Sequence, residues 1–189
     1  MDEADRLNKI LTDFLSLSKL RSPKNENVSL QEILEKVRAA ILSTAGNIDV
    51  QISPRSIPAT VSTDHDLLYQ LLFNLGINAV EAIKERCKSD NDFDCTDGIV
   101  SFSAASGEGG LEISVSDNGI GISEDNREKV FEPFYTTKDT GTGLGLSISH
   151  NIAEALGGQI RIAAKKGETT FTVSFETMKE YTRNENSKT

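Results

Sequence analysis

Asn74 and Asn78 stand four residues apart, so on a helix they share one face. Leu67, Leu71, Leu75 and Ala82 would set that helix against a core, leaving two amides at the core's edge. There each asparagine could satisfy a neighbouring backbone group, or Asn78 could offer its oxygen to a hard cation such as Mg²⁺. Asp117 ends an alternating run in which Leu111, Ile113 and Val115 point to one side, and it shares their parity. A carboxylate aimed at a core is costly unless it is hydrogen-bonded. Asn118-Gly119-Ile120-Gly121 follows, with glycines that allow a sharp turn and close approach of bare backbone to a ligand. A buried acceptor beside such backbone suits an amine-bearing planar ring such as adenine, and an Asx-turn in an ordinary loop is the plainer alternative. Gly141-Thr142-Gly143-Leu144-Gly145-Leu146 opens a helix, where backbone N–H groups without Cβ atoms in the way form an anion site. Its GxGxG spacing lacks the last glycine of the dinucleotide fingerprint and the Lys-[ST] of a P-loop, and a mobile glycine-rich segment is the competing reading. Lys138, three residues before Gly141, is near enough in sequence to reach a terminal phosphate. Phe131-Glu132-Pro133-Phe134-Tyr135 groups three aromatics around a proline, a hinge for a water-excluding lid.

The elements that must hold these residues can be read from periodicity. Leu7, Ile10, Phe14 and Leu17, widened by Leu11 and Leu15, form the apolar seam of a coiled-coil or bundle helix over residues 2–20. Arg21-Ser22-Pro23-Lys24-Asn25 ends it and marks a boundary, although a first core helix of the same domain would look similar. Ser29 and Glu32 make a capping box before a helix carrying Leu30, Ile33, Leu34, Val37 and Ile41. Strands are expected at Ile48–Ile52, Ala59–Ser62, Ile99–Ala105, Leu111–Asp117, Gln159–Ala164 and Thr169–Phe175. Thr63 with Asp66 suits the N-cap of a long helix running to about Arg86, and another helix ends near Leu156 at Gly157-Gly158. Gly107–Gly110 and Lys166-Gly167 are hairpin turns, and the last residues form a polar tail.

The chain has 189 residues, enough for one domain with its own core and an appendage. Its net charge of −9 and lack of a basic cluster argue against nucleic acid or anionic membrane as partners. His65, His150, Cys87 and Cys95 make no zinc pattern. Two cysteines separated by a loop make no disulfide framework and fit a reducing cytoplasm. Neither a signal peptide nor an apolar run of membrane-spanning length is present.

Taken together, NLGINAVEAI (Asn74–Ile83), DNGIG (Asp117–Gly121), FEPFYTTK (Phe131–Lys138) and GTGLGL (Gly141–Leu146) carry a resemblance. In order and spacing they resemble the asparagine, first glycine, phenylalanine and second glycine boxes of the bacterial two-component sensor histidine kinase catalytic domain. That domain shares a superfamily with gyrase-type, mismatch-repair and chaperone ATPases. KGETTFTVSF (Lys166–Phe175) is similar to the family's closing strand, and RLNKILTDFLSLSKL (Arg6–Leu20) to the second helix of its dimerisation and phosphotransfer hairpin. The lid and asparagine helix look most like the nitrogen-regulation branch. The implied fold is α+β, a two-layer α/β sandwich of the Bergerat type whose mixed sheet is covered by helices on one face, preceded by one bundle helix. The implied divisions are residues 1–22 (partial hairpin), 23–178 (ATP-binding catalytic domain) and 179–189 (tail).

The resemblance implies ATP and Mg²⁺ as cofactors. Asn78 would hold the metal and Asn74 would support it as a catalytic residue, together with Lys138 on the terminal phosphate. Asp117 would accept from the adenine amine, Gly119 and Gly121 would shape the pocket, and Thr170 would close its adenine side. Gly141, Gly143 and Gly145 would wrap the phosphates. Ala82, Ile122, Phe131, Thr136, Thr137, Thr142, Leu144 and Leu146 complete the implied cofactor-binding set. Glu81 stands where related kinases carry a lysine, so no phosphate contact is carried onto it. Asn74 stands where the ATPase branches carry a water-activating glutamate, and an amide cannot serve as that base. The implied reaction is γ-phosphoryl transfer to a histidine on a dimerisation helix, for relay to the aspartate of a response-regulator receiver domain. The full-length protein would be a homodimer, with this piece cytoplasmic and any membrane anchor elsewhere. The family's acceptor histidine lies on the preceding hairpin helix, and the chain is expected to be a fragment lacking it. Neither His65 nor His150 lies in an acceptor-like motif, so the chain is expected to bind ATP without phosphorylating itself. A protein-serine kinase on the same fold and a nucleotide-dependent interaction module without transfer are the alternatives.

Overall fold

The computed structural model describes residues 21–53, 60–107, 110–138 and 141–176, together with Leu11. The expected bundle-helix seam, Leu11 apart, and the polar tail lie outside the described residues. The elements run β1 (Glu26–Val28), α1 (Leu30–Ala45), β2 (Asp49–Ile52), β3 (Val61–Thr63), α2 (His65–Ser89), β4 (Ile99–Gly107), β5 (Gly110–Asp117), α3 (Gly145–Ala155), β6 (Gly158–Lys165) and β7 (Glu168–Phe175).

Five strands form a mixed sheet in the order β2-β4-β5-β7-β6, with β2 and β4 parallel and the other pairs antiparallel. Along β5 and β7 every second residue is buried, as expected when one sheet face packs on helices. Phe102, Leu111, Ile113, Val173 and Phe175 from the sheet meet Leu34, Ile41, Leu68, Leu72, Leu75 and Ile83 from the helices in one core. The opposite face is lined by hydroxyls, where Ser114 pairs with Thr172 at 3.0 Å and Ser116 with Thr170 at 2.9 Å.

Ser29 caps α1, its hydroxyl accepting from the Glu32 amide at 3.3 Å. The cap of α2 corrects the expectation of Thr63. Asp64 caps the helix, its Oδ1 accepting from the amides of Asp66 and Leu67 at 3.1 and 3.0 Å. Thr63 instead ends β3, an edge strand that pairs with β1 in a separate two-stranded ribbon. At three residues β1 is too short to show an alternating pattern. Asp64 also holds the segment before β1: Arg21 donates to both its oxygens at 2.5 and 3.0 Å, and the Lys24 amide donates at 2.7 Å. Burial alone would push the Asp64 carboxyl up. The hydrogen bonds from Arg21, Lys24 and Leu67, with the charge of Arg21, carry it down to about 2.

The cysteine reading is also corrected. Cys87, near the end of α2, and Cys95, which opens a short 3-10 turn, form a disulfide across eight residues. The polar loop folds back on the helix that precedes it, bringing the two Cα atoms to 5.5 Å, within bridging range.

Candidate functional site

One edge of α2 carries Asn74, Asn78, Glu81, Ala82 and Arg86, all partly buried, beside the apolar stripe that faces the sheet. The helical period puts these residues in a line, so one element sets their mutual spacing. At the far end of the line lies Asp117, the last residue of β5, 4% exposed on the helix-covered face of the sheet. Its Oδ1 accepts from the Gly119 amide at 2.9 Å. Burial pushes this carboxyl up to about 6, opposed by the Gly119 hydrogen bond and the positive charge of Lys138. Gly119 packs directly on α2, where a Cβ would lie 2.7 Å from the Ala82 methyl and 2.8 Å from Asp117 Oδ1. A neighbouring amide, that of Ile120, donates to the Ala82 carbonyl at 3.1 Å and ties the loop to the helix.

The other end of the line meets α3. A Cβ on Gly145, the first residue of α3, would sit 3.6 Å from Nδ2 and 4.0 Å from Oδ1 of Asn78. No side chain caps this helix. Helix geometry leaves the first-turn amides without intrahelical acceptors, and they favour an anion. The asparagine amide therefore sits against a ready-made anion site.

Between these ends lies the lid segment that follows the DNG loop. Phe131 packs inward, its ring 5.6 Å from that of His150 and 6.5 Å from that of Phe171. Phe134 adopts a positive φ of 67° and is 58% exposed, its amide donating to the Gly143 carbonyl at 3.0 Å. Gly143, also at positive φ, brings its backbone so close to that of Phe134 that a side chain would collide. Lys138 reaches back across the site, and its Nζ donates to Glu81 Oε2 at 2.5 Å.

A buried acceptor, a helix N-terminus and a set of amides along one helix edge suit a molecule with an amine-bearing ring at one end and anionic groups at the other. The family of histidine kinase-, DNA gyrase B- and HSP90-like ATPases matches residues 63–179. The chain belongs to that family. It is 34% identical to the sensor histidine kinase ZraS of Escherichia coli strain K12 over 174 residues, which cover 90% of this chain and 35% of ZraS. The catalytic domain of the histidine kinase ThkA aligns with a TM-score of 0.68 and 28% identity, covering 81% of this chain and 95% of that domain. ThkA in complex with the response regulator protein TrrA aligns with a TM-score of 0.73 and 27% identity, covering 93% of this chain and 48% of that one. The chain thus carries the ATPase domain found in sensor histidine kinases such as ZraS and ThkA, spanning about a third of ZraS, and its mixed sheet under a helical layer is the sandwich expected of that family. No described helix is long and apolar enough to cross a membrane.

Within this ATPase domain the candidate residues divide by position. Asn74, Asn78, Ala82, Asp117, Gly119, Gly145 and Lys138 line the edge of α2 or face it. Gly121, Ile122, Gly141 and Leu146 are partly buried around them. Thr136 and Thr137 are exposed on the lid, where the Thr136 hydroxyl accepts from the Lys138 amide at 3.1 Å. Thr142 sits in the glycine box, its hydroxyl accepting from the Leu144 amide at 3.4 Å. Leu144 is fully buried, so its side chain belongs to the core and only its backbone can face the site. Thr170 lies on the hydroxyl-lined face of β7, where it pairs with Ser116 at 2.9 Å, on the face opposite to Asp117. Thr169 is directly opposite Asp117 in the ladder and 2% exposed, on the same face as that carboxylate. The parity that located Asp117 would also have found Thr169, which shares it with Phe171, Val173 and Phe175. Glu81 and Arg86 are additions, both on the helix edge that the asparagine pair defines.

Proposed function

We propose that this histidine kinase domain binds Mg·ATP, with adenine against Asp117 and phosphates at the N-terminus of α3. Its γ-phosphoryl group would pass to a histidine on a dimerisation helix, for relay to a response-regulator aspartate. The observation that supports this reading best is the buried, singly occupied Asp117 carboxylate at one end of a helix edge whose other end, Asn78, meets the start of α3. The second Asp117 oxygen is the acceptor for the adenine amine, and Thr169 borders it. First-turn amides of α3 and the backbone of the glycine box take the phosphates. Lys138 sits on the lid in the pair with Glu81 and turns to the terminal phosphate when nucleotide enters. Catalysis on this reading is positioning and charge stabilisation, with little covalent work for the protein.

The donor set fits Mg²⁺. Asn78 offers a neutral hard oxygen beside the N-terminus of α3, where phosphates would lie. The ion would therefore be held by Asn78 together with phosphate oxygens, with Asn74 supporting from the same helix face. Bound there, it would neutralise charge on the transferring group. Asn74 cannot take a proton from water, which favours transfer over hydrolysis.

The histidines of the chain are placed for other work. His65 is the first residue of α2, its Nδ1 3.1 Å from Asp66 Oδ1 and its Nε2 3.4 Å from Lys36 Nζ. His150 lies under Phe131 with Glu154 at 3.7 Å. The acceptor is accordingly supplied from outside the residues that form the site, by a dimerisation helix of the same or a partner protomer in a cytoplasmic assembly. Calorimetric titration with ATP tests the binding step. Asp117→Asn should weaken ATP binding roughly tenfold or more, because an amide has one oxygen to divide between the Gly119 amide and the adenine amine. Unaltered affinity in that variant would remove Asp117 from the site.

A further inference from the structure

Arg86 lies two turns beyond Asn78 on α2 and joins three separate pieces of chain at the adenine end. Its Nη1 donates to the Asn118 carbonyl at 2.8 Å and approaches the Gly167 carbonyl, in the β6–β7 turn, at 3.5 Å. The guanidinium lies over the Phe93 ring, 4.0 Å from its centroid, and Nε pairs with Asp90 at 3.3 Å. Phe93 and Asp90 both belong to the loop closed by the Cys87–Cys95 disulfide. Asn118 grips the far side of the same link. Its Nδ2 donates to the Asp97 carbonyl at 2.7 Å, in the 3-10 turn that Cys95 opens, and its Oδ1 accepts from the Ile99 amide at 2.7 Å. Asn118 is the residue next to Asp117, so its backbone position sets where the adenine acceptor points.

We propose that Arg86 is a positioning residue for the adenine end of the site, braced by the Cys87–Cys95 disulfide loop, so that reducing this disulfide weakens and blurs nucleotide recognition. The inference rests on the nucleotide-binding reading above. Reduction unties Cys95 from Cys87, so the loop 88–94 is no longer pinned back on the end of α2, and Phe93 and Asp90 no longer hold the guanidinium against Asn118. Cys87 and Cys95 are both partly exposed residues. The exchange balances: one dithiol thiolate attacks a sulfur and forms a mixed disulfide as the Cys87–Cys95 bond breaks, and the second dithiol sulfur then breaks that mixed disulfide, releasing the cysteine as it closes on the first. Two electrons and two protons pass to the protein, which holds two thiols, and the reagent ends as a cyclic disulfide.

The test measures ADP and GDP affinity on the whole chain, oxidised and after dithiol reduction verified by mass. It is repeated with Cys87→Ser/Cys95→Ser, Arg86→Lys and Arg86→Ala. Reduction should weaken ADP binding about five- to tenfold, the size of one misplaced hydrogen bond, and should narrow the preference for ADP over GDP. Loss of general stability would leave that preference intact. The double serine variant should match the reduced protein and ignore dithiol. Arg86→Lys, able to keep one bond to Asn118, should fall between wild type and Arg86→Ala. Equal ADP affinity and unchanged base preference in the two redox states would overturn the proposal, as would wild-type binding by a folded Arg86→Ala. Should the oxidised wild type bind no adenine nucleotide, the nucleotide reading itself fails. The brace is then judged by hydrogen exchange at Gly119 and Ile120, whose amides bond to Asp117 and Ala82. Faster exchange after reduction supports it, and unchanged exchange overturns it.

Discussion

Burial pushes the Asp117 carboxyl up to about 6, and that shift has consequences for both binding and stability. The ionised form is the better acceptor for an amine, so nucleotide affinity should decline as pH falls through about 6. Titration calorimetry from pH 5 to pH 8 checks this, and Asp117→Asn should show no such decline. In the ligand-free protein the sign is opposite. An acid whose folded pKa lies above its unfolded value lowers stability as pH rises between the two, so this group should make the empty protein less stable near pH 7 than below pH 5. Bound nucleotide, by supplying a hydrogen-bond partner to the ionised form, should offset that loss. Melting temperatures with and without ADP across the same range read both effects. Lys138 is held by the Glu81 carboxylate on the asparagine helix, and on the proposed reading it leaves that pair for the terminal phosphate.

The elements owe their arrangement to α2 more than to any other. Its apolar stripe covers the sheet, its polar edge carries the site, and its cap residue, Asp64, also anchors Arg21 and the Lys24 backbone. Asp64→Ala should remove a helix cap and the anchor together and lower stability by about 1–3 kcal/mol in chemical denaturation. The folded pKa of Asp64, about 2, lies below the ordinary carboxylate value. Its contribution is therefore present above the normal range and lost as pH falls towards 2, so the variant should show a weaker acid dependence than wild type. Much of this scale was legible in the sequence because it is governed by local periodicity. The long helices, the β4–β5 and β6–β7 hairpins and the inward aim of Asp117 all follow from spacing alone. Strand parity likewise places Thr169, and not Thr170, on the face of Asp117. Lys138–Glu81 and Arg86–Gly167 span 57 and 81 residues, and no local pattern encodes contacts that exist only once the sandwich is assembled. The disulfide was missed for the same reason: a count of cysteines does not show that the loop between them doubles back.

At the scale of the whole molecule, the proposed reading places adenine, metal and phosphate contacts along one helix edge, while His65 pairs with Asp66 and His150 lies beside Phe131. A net charge of −9 leaves nucleic acid an unfavourable partner. On the proposed reading the delivery machinery and its target are separable, so supplying the target in trans should restore transfer. The most direct measurement is incubation with γ-labelled ATP and Mg²⁺, with and without a partner that presents a dimerisation hairpin bearing an acceptor histidine. The account predicts acid-labile label on the partner's histidine, none on this chain, and loss of transfer with Asp117→Asn. Acid-labile phosphate on His65 or His150, or no label on any offered hairpin by a chain that binds ATP, would contradict it.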